Sequence, residues 1–252
     1  MSDVEVLALI PARGGSKGLP RKNVLPLAGK PLVAHTIATA LDAATITRTI
    51  VSTDDDEIAA AAREYGAEVP FMRPPELAQD DSLDLEVFEH ALRRLAQDER
   101  YEPELVVHLR PTCPVRRAEH VDDAVRRMLE DSEADSLRAV SRPEQTPYKM
   151  WRAERGYLVP VVEVEGVRDA HSRPRQSLPE IWWQNGYVDV IRPRTILELG
   201  SMAGTRVLPF VVQDPIVEID YADAFAAAEE LLRRRAEGVE SDEREPEVRH
   251  PA

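Results

Sequence analysis

The chain has 252 residues, of which 43% are hydrophobic, enough for one sizeable globular domain or two small ones. Its net charge of −14 argues against broad nucleic-acid binding, which requires a basic surface. The single cysteine, Cys113, excludes an internal disulfide, and no apolar stretch approaches the ~20 residues that a membrane-spanning helix needs.

Predicted strands and helices alternate along the first part of the chain. We predict strands over residues 4–10, 49–53, 67–71, 105–109 and 136–141, and helices over residues 31–41, 54–65, 84–94 and 119–129. Such alternation is typical of parallel βαβ units, so we predict an α/β fold with a doubly wound, mostly parallel, Rossmann-like sheet. Right-handed crossovers would gather the loops that follow the strands at one edge of this sheet.

The pattern changes after residue 141. Residues 142–185 are rich in proline and aromatic residues, which predicts a small β-rich excursion that serves as a lid or a dimerisation arm. Two strands and a last helix then complete a predicted domain of residues 1–235, over residues 186–191, 206–211 and 221–235. The remaining residues, 236–252, are acidic and poor in apolar side chains, which predicts disorder. Because a strand follows the first residues directly, we expect no signal peptide and a cytoplasmic protein.

The most informative segment follows the first strand. Residues 11–23 carry three glycines and four cations, Arg13, Lys17, Arg21 and Lys22, in an otherwise acidic chain. Glycine permits positive φ angles and close backbone approach, and successive backbone N–H groups can form a concave anion site. Because α/β proteins hold phosphates at the end of the first strand, the segment predicts a nucleoside triphosphate site. The alternative is a tight turn with solvated cations, and the glycine spacing matches neither the P-loop nor the dinucleotide fingerprint.

Two further polar segments lie next to predicted strands, one after the strand that ends at residue 109 and one before the strand that begins at residue 186. Arg110 and Arg116 come after the strand that ends at residue 109, where two guanidinium groups could fork onto a carboxylate or a phosphate. Arginine and amide side chains recur at residues 173–176 and 184–186, a composition that suits a polar, anionic small molecule. The alternatives are surface ion pairs for the arginines and ordinary solvated loops for the other residues.

Two carboxylates precede the last predicted helix. Alternation along an extended segment places Glu218 and Asp220 on the same side. Adjacent carboxylates repel each other, and Mg²⁺ relieves such repulsion by taking one or two carboxylates together with waters and phosphate oxygens. The pair therefore predicts a Mg²⁺ site, and the alternative for Asp220 is a helix N-cap.

Together these segments predict phosphoryl-type chemistry. The basic loop would bind a triphosphate, the carboxylate pair would bind Mg²⁺, and the arginines would bind an anionic acceptor. We see no Ser/His/Asp grouping and no Cys/His cluster with metal-ligand spacing, so hydrolytic and zinc mechanisms have little support. The expected partners are a nucleoside triphosphate and a small anionic acceptor, with no nucleic acid and no membrane.

Several motifs resemble those of the acylneuraminate cytidylyltransferases, the CMP-sialic acid synthetases. They lie in residues 9–18, 22–23, 27–32, 51–54, 66–74, 110–116, 174–176 and 185–186, and the resemblance extends over nearly all of the chain except its C-terminal end. The resemblance implies a homodimeric, Mg²⁺-dependent enzyme with a Rossmann-like fold. Such an enzyme transfers CMP from CTP to a nine-carbon acid sugar and releases pyrophosphate.

The resemblance also implies a set of site residues. The nucleotide would contact Ala12, Arg13, Gly14, Gly15, Ser16, Lys17, Lys22, Asn23, Arg73 and Ser82. Three of these, Arg13, Lys17 and Lys22, would be catalytic. The acceptor would contact Arg110, Thr112, Arg175, Gln176 and Asn185, and the metal would be held by Glu218 and Asp220.

Two positions depart from the family pattern. Arg110 stands where the family usually has glutamine, and a fixed cation there should change which acceptor is favoured. Glu218 stands where the usual metal pair has its first aspartate. The acceptor could therefore be a sialic, legionaminic or pseudaminic acid, or a sugar 1-phosphate or phosphonate, with guanine as an alternative base. A non-catalytic nucleotide-binding protein on the same fold is the alternative from another functional class.

Overall fold

Residues 4–16, 18–221 and 223–237 are described in the computed structural model of the chain. The strands are β1 (Val6–Pro11), β2 (Pro26–Leu27), β3 (Lys30–Pro31), β4 (Arg48–Ser52), β5 (Leu105–His108), β6 (Ser136–Ser141), β7 (Trp151–Glu154), β8 (Tyr157–Pro160), β9 (Trp183–Ile191) and β10 (Val207–Val211). The helices are α1 (Leu32–Asp42), α2 (Asp56–Glu64), α3 (Asp84–Glu99), α4 (Ala118–Glu130), α5 (Pro193–Leu197) and α6 (Asp223–Ala236). Short 3₁₀ turns connect several of them.

A six-stranded sheet in the order β10-β6-β9-β5-β1-β4 forms the centre of the fold. Strand β1 pairs in parallel with β4 and β5, and β10 pairs in parallel with β6. Strand β9 is antiparallel to both of its neighbours, β5 and β6. The predicted mostly parallel, Rossmann-like α/β fold is therefore confirmed, with one antiparallel strand near the middle.

Helices cover both faces of this sheet, as the sequence of β1 shows. Val6, Ala8 and Ile10 pack in one core cluster with residues of α1, α2 and α4. Leu7 and Leu9 pack in a second cluster with residues of α3 and α5. Because successive residues of a strand point to opposite faces, a strand that is apolar throughout must be covered on both sides. This three-layer arrangement leaves the strand ends as the accessible edge.

Some predicted elements differ from the structure. The strand predicted over residues 67–71 is reduced to one parallel bridge between Ile50 and Glu68, and Pro70 has no N–H to continue a ladder. Helix α3 continues to Glu99, beyond the predicted end at residue 94. Helix α2 begins at Asp56, two residues after the predicted start, because Asp55 is its N-cap and accepts hydrogen bonds from two backbone N–H groups of its first turn.

The predicted excursion contains one hairpin, β7–β8, and irregular chain with short 3₁₀ turns. A small cluster of Tyr148, Ala170 and Leu178 forms its own core. Several large apolar side chains of this region are exposed, including Trp151 and Tyr157. Within the described residues, none of the helices is long and apolar enough to cross a membrane. Residues 238–252 of the predicted disordered tail lie outside the described residues.

Candidate active site

A cleft of about 280 Å³ opens at the C-terminal ends of β1 and β5. This is the edge at which open α/β sheets bind their ligands. Its lining comes from the end of β1 and the loop after it, from the start of α3 and the segment before it, and from the end of β5 and the residues after it. The lining residues are Pro11, Arg13, Ser16, Lys22, Asn23, Arg73, Leu77, Gln79, Asp80, Ser82, Asp84, Val87, His108, Arg110, Pro111 and Thr112. Residues far apart in the sequence, from 13 to 112, are thus brought to one opening.

The loop after β1 is held by side chains rather than by unusual glycine angles. The side-chain amide of Asn23 donates to the carbonyl oxygen of Arg13 at 2.9 Å, and the Gly14 N–H donates to Asp54 at the same distance. Neither Gly14 nor Gly15 has a positive φ, so that part of the prediction is wrong. A Cβ on Gly14 would stand 2.8 Å from the Asp55 carboxylate, so glycine is required there for close packing.

The four predicted cations of this loop have different surroundings. Arg13 donates to the carbonyl oxygen of Gln79 and lies 3.0 Å from the Asp80 carboxylate, across the cleft. Arg21 forms ion pairs with Asp55 and with Glu57 of α2, and it does not line the cleft. Lys17 lies outside the described residues. Arg13 and Lys22 are therefore the loop cations that the structure places at the cleft.

Lys22 connects the loop to the predicted metal pair. Its ammonium group donates to the carbonyl oxygen of Ile219 at 2.8 Å and lies 3.1 Å from the Asp220 carboxylate. Ile219 is itself bound through its N–H to the carbonyl oxygen of Thr112 at 2.7 Å. Burial, and then repulsion from Asp220, raise the pKa of Glu218. The two carboxylates are therefore close enough to interact.

The alternative role of Asp220 as a helix N-cap does not hold in the structure. Because α6 begins at Asp223, Asp220 lies three residues before the helix and does not occupy its N-cap position. The described residues contain no group of three or more His, Cys, Asp or Glu side chains that could hold a metal. Mg²⁺ needs only one or two carboxylates when waters and phosphate oxygens complete its coordination. The donors present thus suit Mg²⁺ bound together with a phosphate-containing ligand.

Arg73 and Ser82 lie at the side of the cleft formed by the segment before α3. Arg73 is buried and donates to the side chain and the backbone carbonyl of Ser52 at the end of β4. Burial lowers the pKa of Arg73 to about 10. The Ser82 hydroxyl accepts from the Gln79 N–H and donates to a carbonyl oxygen of the same segment. Both side chains therefore shape this wall as well as lining it.

Arg110 lies at the other end of the cleft with two carboxylates beside it. One terminal nitrogen donates to Asp189 at 2.9 Å, and the other lies 3.5 Å from Asp84. Burial disfavours the charged guanidinium, but Asp189, Asp84 and Glu218 together outweigh it and raise the pKa of Arg110. Arg116, by contrast, is buried and donates to backbone carbonyls, including that of Arg110. The prediction that Arg116 shares a ligand with Arg110 is therefore wrong, because its guanidinium supports the turn.

The remaining predicted acceptor residues do not line this cleft. Arg175 and Gln176 line a separate depression of the excursion, and Arg175 donates to backbone carbonyls of residues 143 and 144. Asn185 is buried, and its side-chain oxygen accepts from the Tyr187 N–H. Within the described residues, the cleft is lined by Arg110 and Thr112 but not by these three side chains.

Residues that the sequence reasoning did not select stand next to Arg110. Asp84 and His108 line the cleft, and Asp189 lies fully buried on β9. The His108 ring nitrogens lie 3.9 Å from Asp189 and 4.0 Å from Asp84, and they find no hydrogen-bond partner among the described residues. Burial lowers the pKa of His108 well below its ordinary value, so this ring is neutral. The sequence does contain a signal for Asp189, because residues 187–191 place a single aspartate inside an otherwise apolar strand, where a charged side chain is uncommon.

The fold and this cleft define a Rossmann-like α/β protein with cationic and acidic side chains at the carboxyl edge of its sheet. Residues 7–154 match the family model described as cytidylyltransferase. The chain therefore belongs to the cytidylyltransferase family. The predicted resemblance to acylneuraminate cytidylyltransferases is confirmed by relatives that carry this and related names.

Relatives with curated descriptions include enzymes of three acid sugars. The chain is 43% identical over 122 residues to the CMP-N,N'-diacetyllegionaminic acid synthase of Legionella pneumophila, a match that covers 48% of this chain and 52% of the relative. It is 37% identical over 223 residues to N-acylneuraminate cytidylyltransferase B of Danio rerio, covering 85% of this chain and 49% of the relative. A pseudaminic acid cytidylyltransferase of Campylobacter jejuni is 35% identical over 126 residues, covering 50% of this chain and 53% of the relative. The chain spans about half the length of the curated relatives it matches.

Solved structures show the same fold at low sequence identity. The structure of a CMP:2-keto-3-deoxy-manno-octonic acid synthetase complexed with CTP has a TM-score of 0.67 and 16% identity, covering 92% of this chain and 99% of that one. A 4-diphosphocytidyl-2C-methyl-D-erythritol synthase has a TM-score of 0.64 and 12% identity, covering 91% and 99%. At such identities the likeness concerns the fold alone.

Proposed function

We propose that this chain is a Mg²⁺-dependent nucleotidyltransferase that transfers CMP from CTP to an acid sugar and releases pyrophosphate. The acceptor class that its relatives' names support is a sialic, legionaminic or pseudaminic acid. The observation that carries the proposal is the convergence of Arg13, Lys22 and Arg110 with the Glu218–Asp220 pair at one edge of the sheet. Cations can stabilise the developing phosphate charge, a carboxylate pair can bind a metal ion, and a further arginine can bind an anionic acceptor.

The triphosphate would bind at the loop end of the cleft. Arg13 and Lys22 carry positive charge there, and Ser16 of the same loop also lines the cleft. In the proposed reaction, a hydroxyl oxygen of the acceptor bonds to the α-phosphorus and loses its proton to solvent, while the bond to pyrophosphate breaks. Negative charge on the leaving phosphates increases in this step, and preorganised cations stabilise it because they need no reorientation. Lys17 keeps its predicted role in the same loop.

Glu218 and Asp220 would hold Mg²⁺ in this proposal. The ion would supply charge neutralisation at phosphate oxygens. The raised pKa of Glu218 supports the assignment, because it reflects burial and a neighbouring carboxylate, both of which a bound cation would offset. Lys22 already contacts Asp220, so the proposed metal pair and the proposed phosphate-binding lysine are adjacent.

The acceptor would bind at the Arg110 end. A guanidinium presents several N–H groups in a plane and matches the two oxygens of a carboxylate. Arg110 uses one terminal nitrogen for Asp189 and is one-fifth exposed toward the cleft. An acid sugar would offer its carboxylate there while its attacking oxygen lies nearer the triphosphate. The contributions of Arg175, Gln176 and Asn185 to this pocket stay predictions.

The decisive experiment measures pyrophosphate release by the purified protein. CTP and GTP are each supplied with Mg²⁺ and a panel of acid sugars, sugar 1-phosphates and phosphonates, and the products are identified by mass spectrometry. We expect pyrophosphate and a CMP-linked acid sugar with CTP, and neither product when EDTA removes the metal. Absence of pyrophosphate with both triphosphates and every acceptor would exclude the enzyme and favour a binding protein.

We also propose a homodimer and keep the cytoplasm as the predicted location. The exposed apolar side chains of the excursion, among them Trp151, Tyr157, Leu158 and Trp183, support self-association because a monomer gains little from exposing them. Light scattering coupled to size-exclusion chromatography should give twice the chain mass of 28.3 kDa. A monomer across the concentrations used in the activity assay would contradict the homodimer.

A further inference from the structure

One guanidinium at the acceptor end of the cleft is shared by two carboxylates that differ in their surroundings. Asp189 accepts a hydrogen bond from Arg110 at 2.9 Å, whereas Asp84 lies at 3.5 Å. The Asp189 side chain is fully buried, and the Asp84 side chain is 47% exposed. Because a 3.5 Å separation is longer than a good charged hydrogen bond, the two contacts differ in strength as well as in burial.

Asp189 is fixed by the centre of the sheet. In the strand registers, Asp189 lies opposite His108 on β5 and opposite Arg138 on β6. Arg138 donates to Asp189 at 3.1 Å and to the carbonyl oxygen of Met202 at 2.8 Å. A buried carboxylate between two guanidinium groups cannot leave without stranding charge in the interior, so it stays bound to Arg110.

Another anion can take the place of the Asp84 carboxylate beside Arg110. Asp84 is the first residue of α3 and lines the cleft, so water and ligands reach its carboxylate. The neutral ring of His108 lies 4.0 Å from it without a hydrogen bond, and the buried Arg73 guanidinium interacts with it electrostatically through space. Among the described residues, Arg110 is the charged group that lies within ion-pair distance of the Asp84 carboxylate, and that contact is long.

We propose that these two carboxylates set the affinity of Arg110 for the acceptor in opposite directions. Asp189 is a positioning residue that orients the guanidinium toward the cleft. Asp84 occupies the second nitrogen of Arg110 and is displaced by the anionic group of the acceptor. The inference rests on the proposed function, since it assigns how that acceptor's carboxylate or phosphate is recognised.

The chemistry favours an anion as the displacing group. A neutral hydroxyl or amide would have to replace an ionic contact with a weaker one, whereas a carboxylate or phosphate replaces it with a two-point contact. The exchange also moves Asp84 into water, where its charge is solvated at little cost. Asp84 thus discriminates against neutral acceptors by competing with them for the same nitrogen.

Two isosteric substitutions separate the roles. Asp84→Asn should lower the KM for the acid sugar by about threefold or more, because it removes the competitor. Asp189→Asn should raise that KM by about tenfold, because the guanidinium loses its orienting charge. The KM for CTP should change by less than about twofold in both. Asp84→Glu, which keeps the charge, and Asp122→Asn, a buried carboxylate that instead binds the backbone and side chain of Thr45, are the matched controls.

A binding measurement without turnover keeps this inference separate from the proposed function. The Nε–Hε NMR signal of Arg110, assigned by its loss in Arg110→Lys, is followed while inorganic phosphate is added. The apparent phosphate dissociation constant should fall in Asp84→Asn and rise in Asp189→Asn. If the protein turns over no acceptor, the proposed function fails and this titration alone decides the inference.

The inference is overturned by equal or same-direction changes in the two asparagine variants, in either assay. A purely structural role for both carboxylates would lower the melting temperature and leave the acceptor KM and the phosphate titration unchanged. Should Asp189→Asn not fold, the comparison of Asp84→Asn with Asp84→Glu still decides, since only the first should tighten binding.

Discussion

Replacing Lys22 with alanine tests the proposed triphosphate site most directly. The side chain of Lys22 is only 12% exposed, and its ammonium group is held 2.8 Å from one oxygen and 3.1 Å from another before any ligand binds. Such a charge is preorganised, so its removal should cost about 2–4 kcal/mol of transition-state stabilisation. That corresponds to a loss of about 30- to 900-fold in rate.

The assay is steady-state pyrophosphate release with CTP, Mg²⁺ and the best acceptor. Lys30→Ala, an exposed lysine outside the cleft, is the control and should retain the parent rate. Lys22→Arg keeps the charge but changes its geometry, so its rate should lie between the rates of Lys22→Ala and Lys30→Ala. A loss of less than tenfold in the rate of Lys22→Ala would refute the assignment, because removing a preorganised cation from the phosphates should cost more transition-state stabilisation than that. Lys17→Ala is predicted to lose rate by the same factor as Lys22→Ala, about 30- to 900-fold.

Three further predictions concern the acceptor, the metal pair and the loop. Arg110→Gln should change the ranking of acceptors in the product assay more than it changes the KM for CTP, and equal effects on both would contradict its role. Burial and Asp220 raise the pKa of Glu218, so the stability linked to its protonated form is lost as pH rises above the ordinary glutamate value. Glu218→Gln in EDTA should therefore melt higher than the parent protein near pH 7 and show no gain below about pH 4, and a gain independent of pH would contradict the cause given. Asp55→Ala should lower the unfolding free energy in urea titrations by about 1–2 kcal/mol, because α2 loses its N-cap and Arg21 loses a partner, and an unchanged midpoint would refute this.

The parts of the fold that the sequence predicts well depend on local patterns. The apolar strand over residues 6–11 and the helices that follow are specified by side-chain periodicity and by acidic first turns. The strand predicted at residues 67–71 failed because pairing depends on a neighbour, and only one bridge to Ile50 forms there. Likewise, the antiparallel direction of β9 follows from its path back from the excursion, which no local pattern of β9 contains.

The candidate site shows the same division. Sequence motifs selected Arg13, Lys22 and Asp220 from a loop and a segment that are nearly 200 residues apart, and the structure brings them to one edge. The motifs could not reveal that the Arg116 guanidinium is buried and donates its hydrogen bonds to backbone carbonyl oxygens. The burial of a side chain depends on the tertiary packing around it, which a local motif does not contain.

By itself, the sequence determined the class of the fold, the position of the basic loop and the family, because strand and helix periodicity and short motifs are local properties. Tertiary structure alone decided which charges share a site. Asp189 comes from β9 and Asp84 from the start of α3, and only the strand order places both beside Arg110. Electrostatic contacts act through space over a few ångströms, so the partners of a charge depend on the packing of the whole sheet.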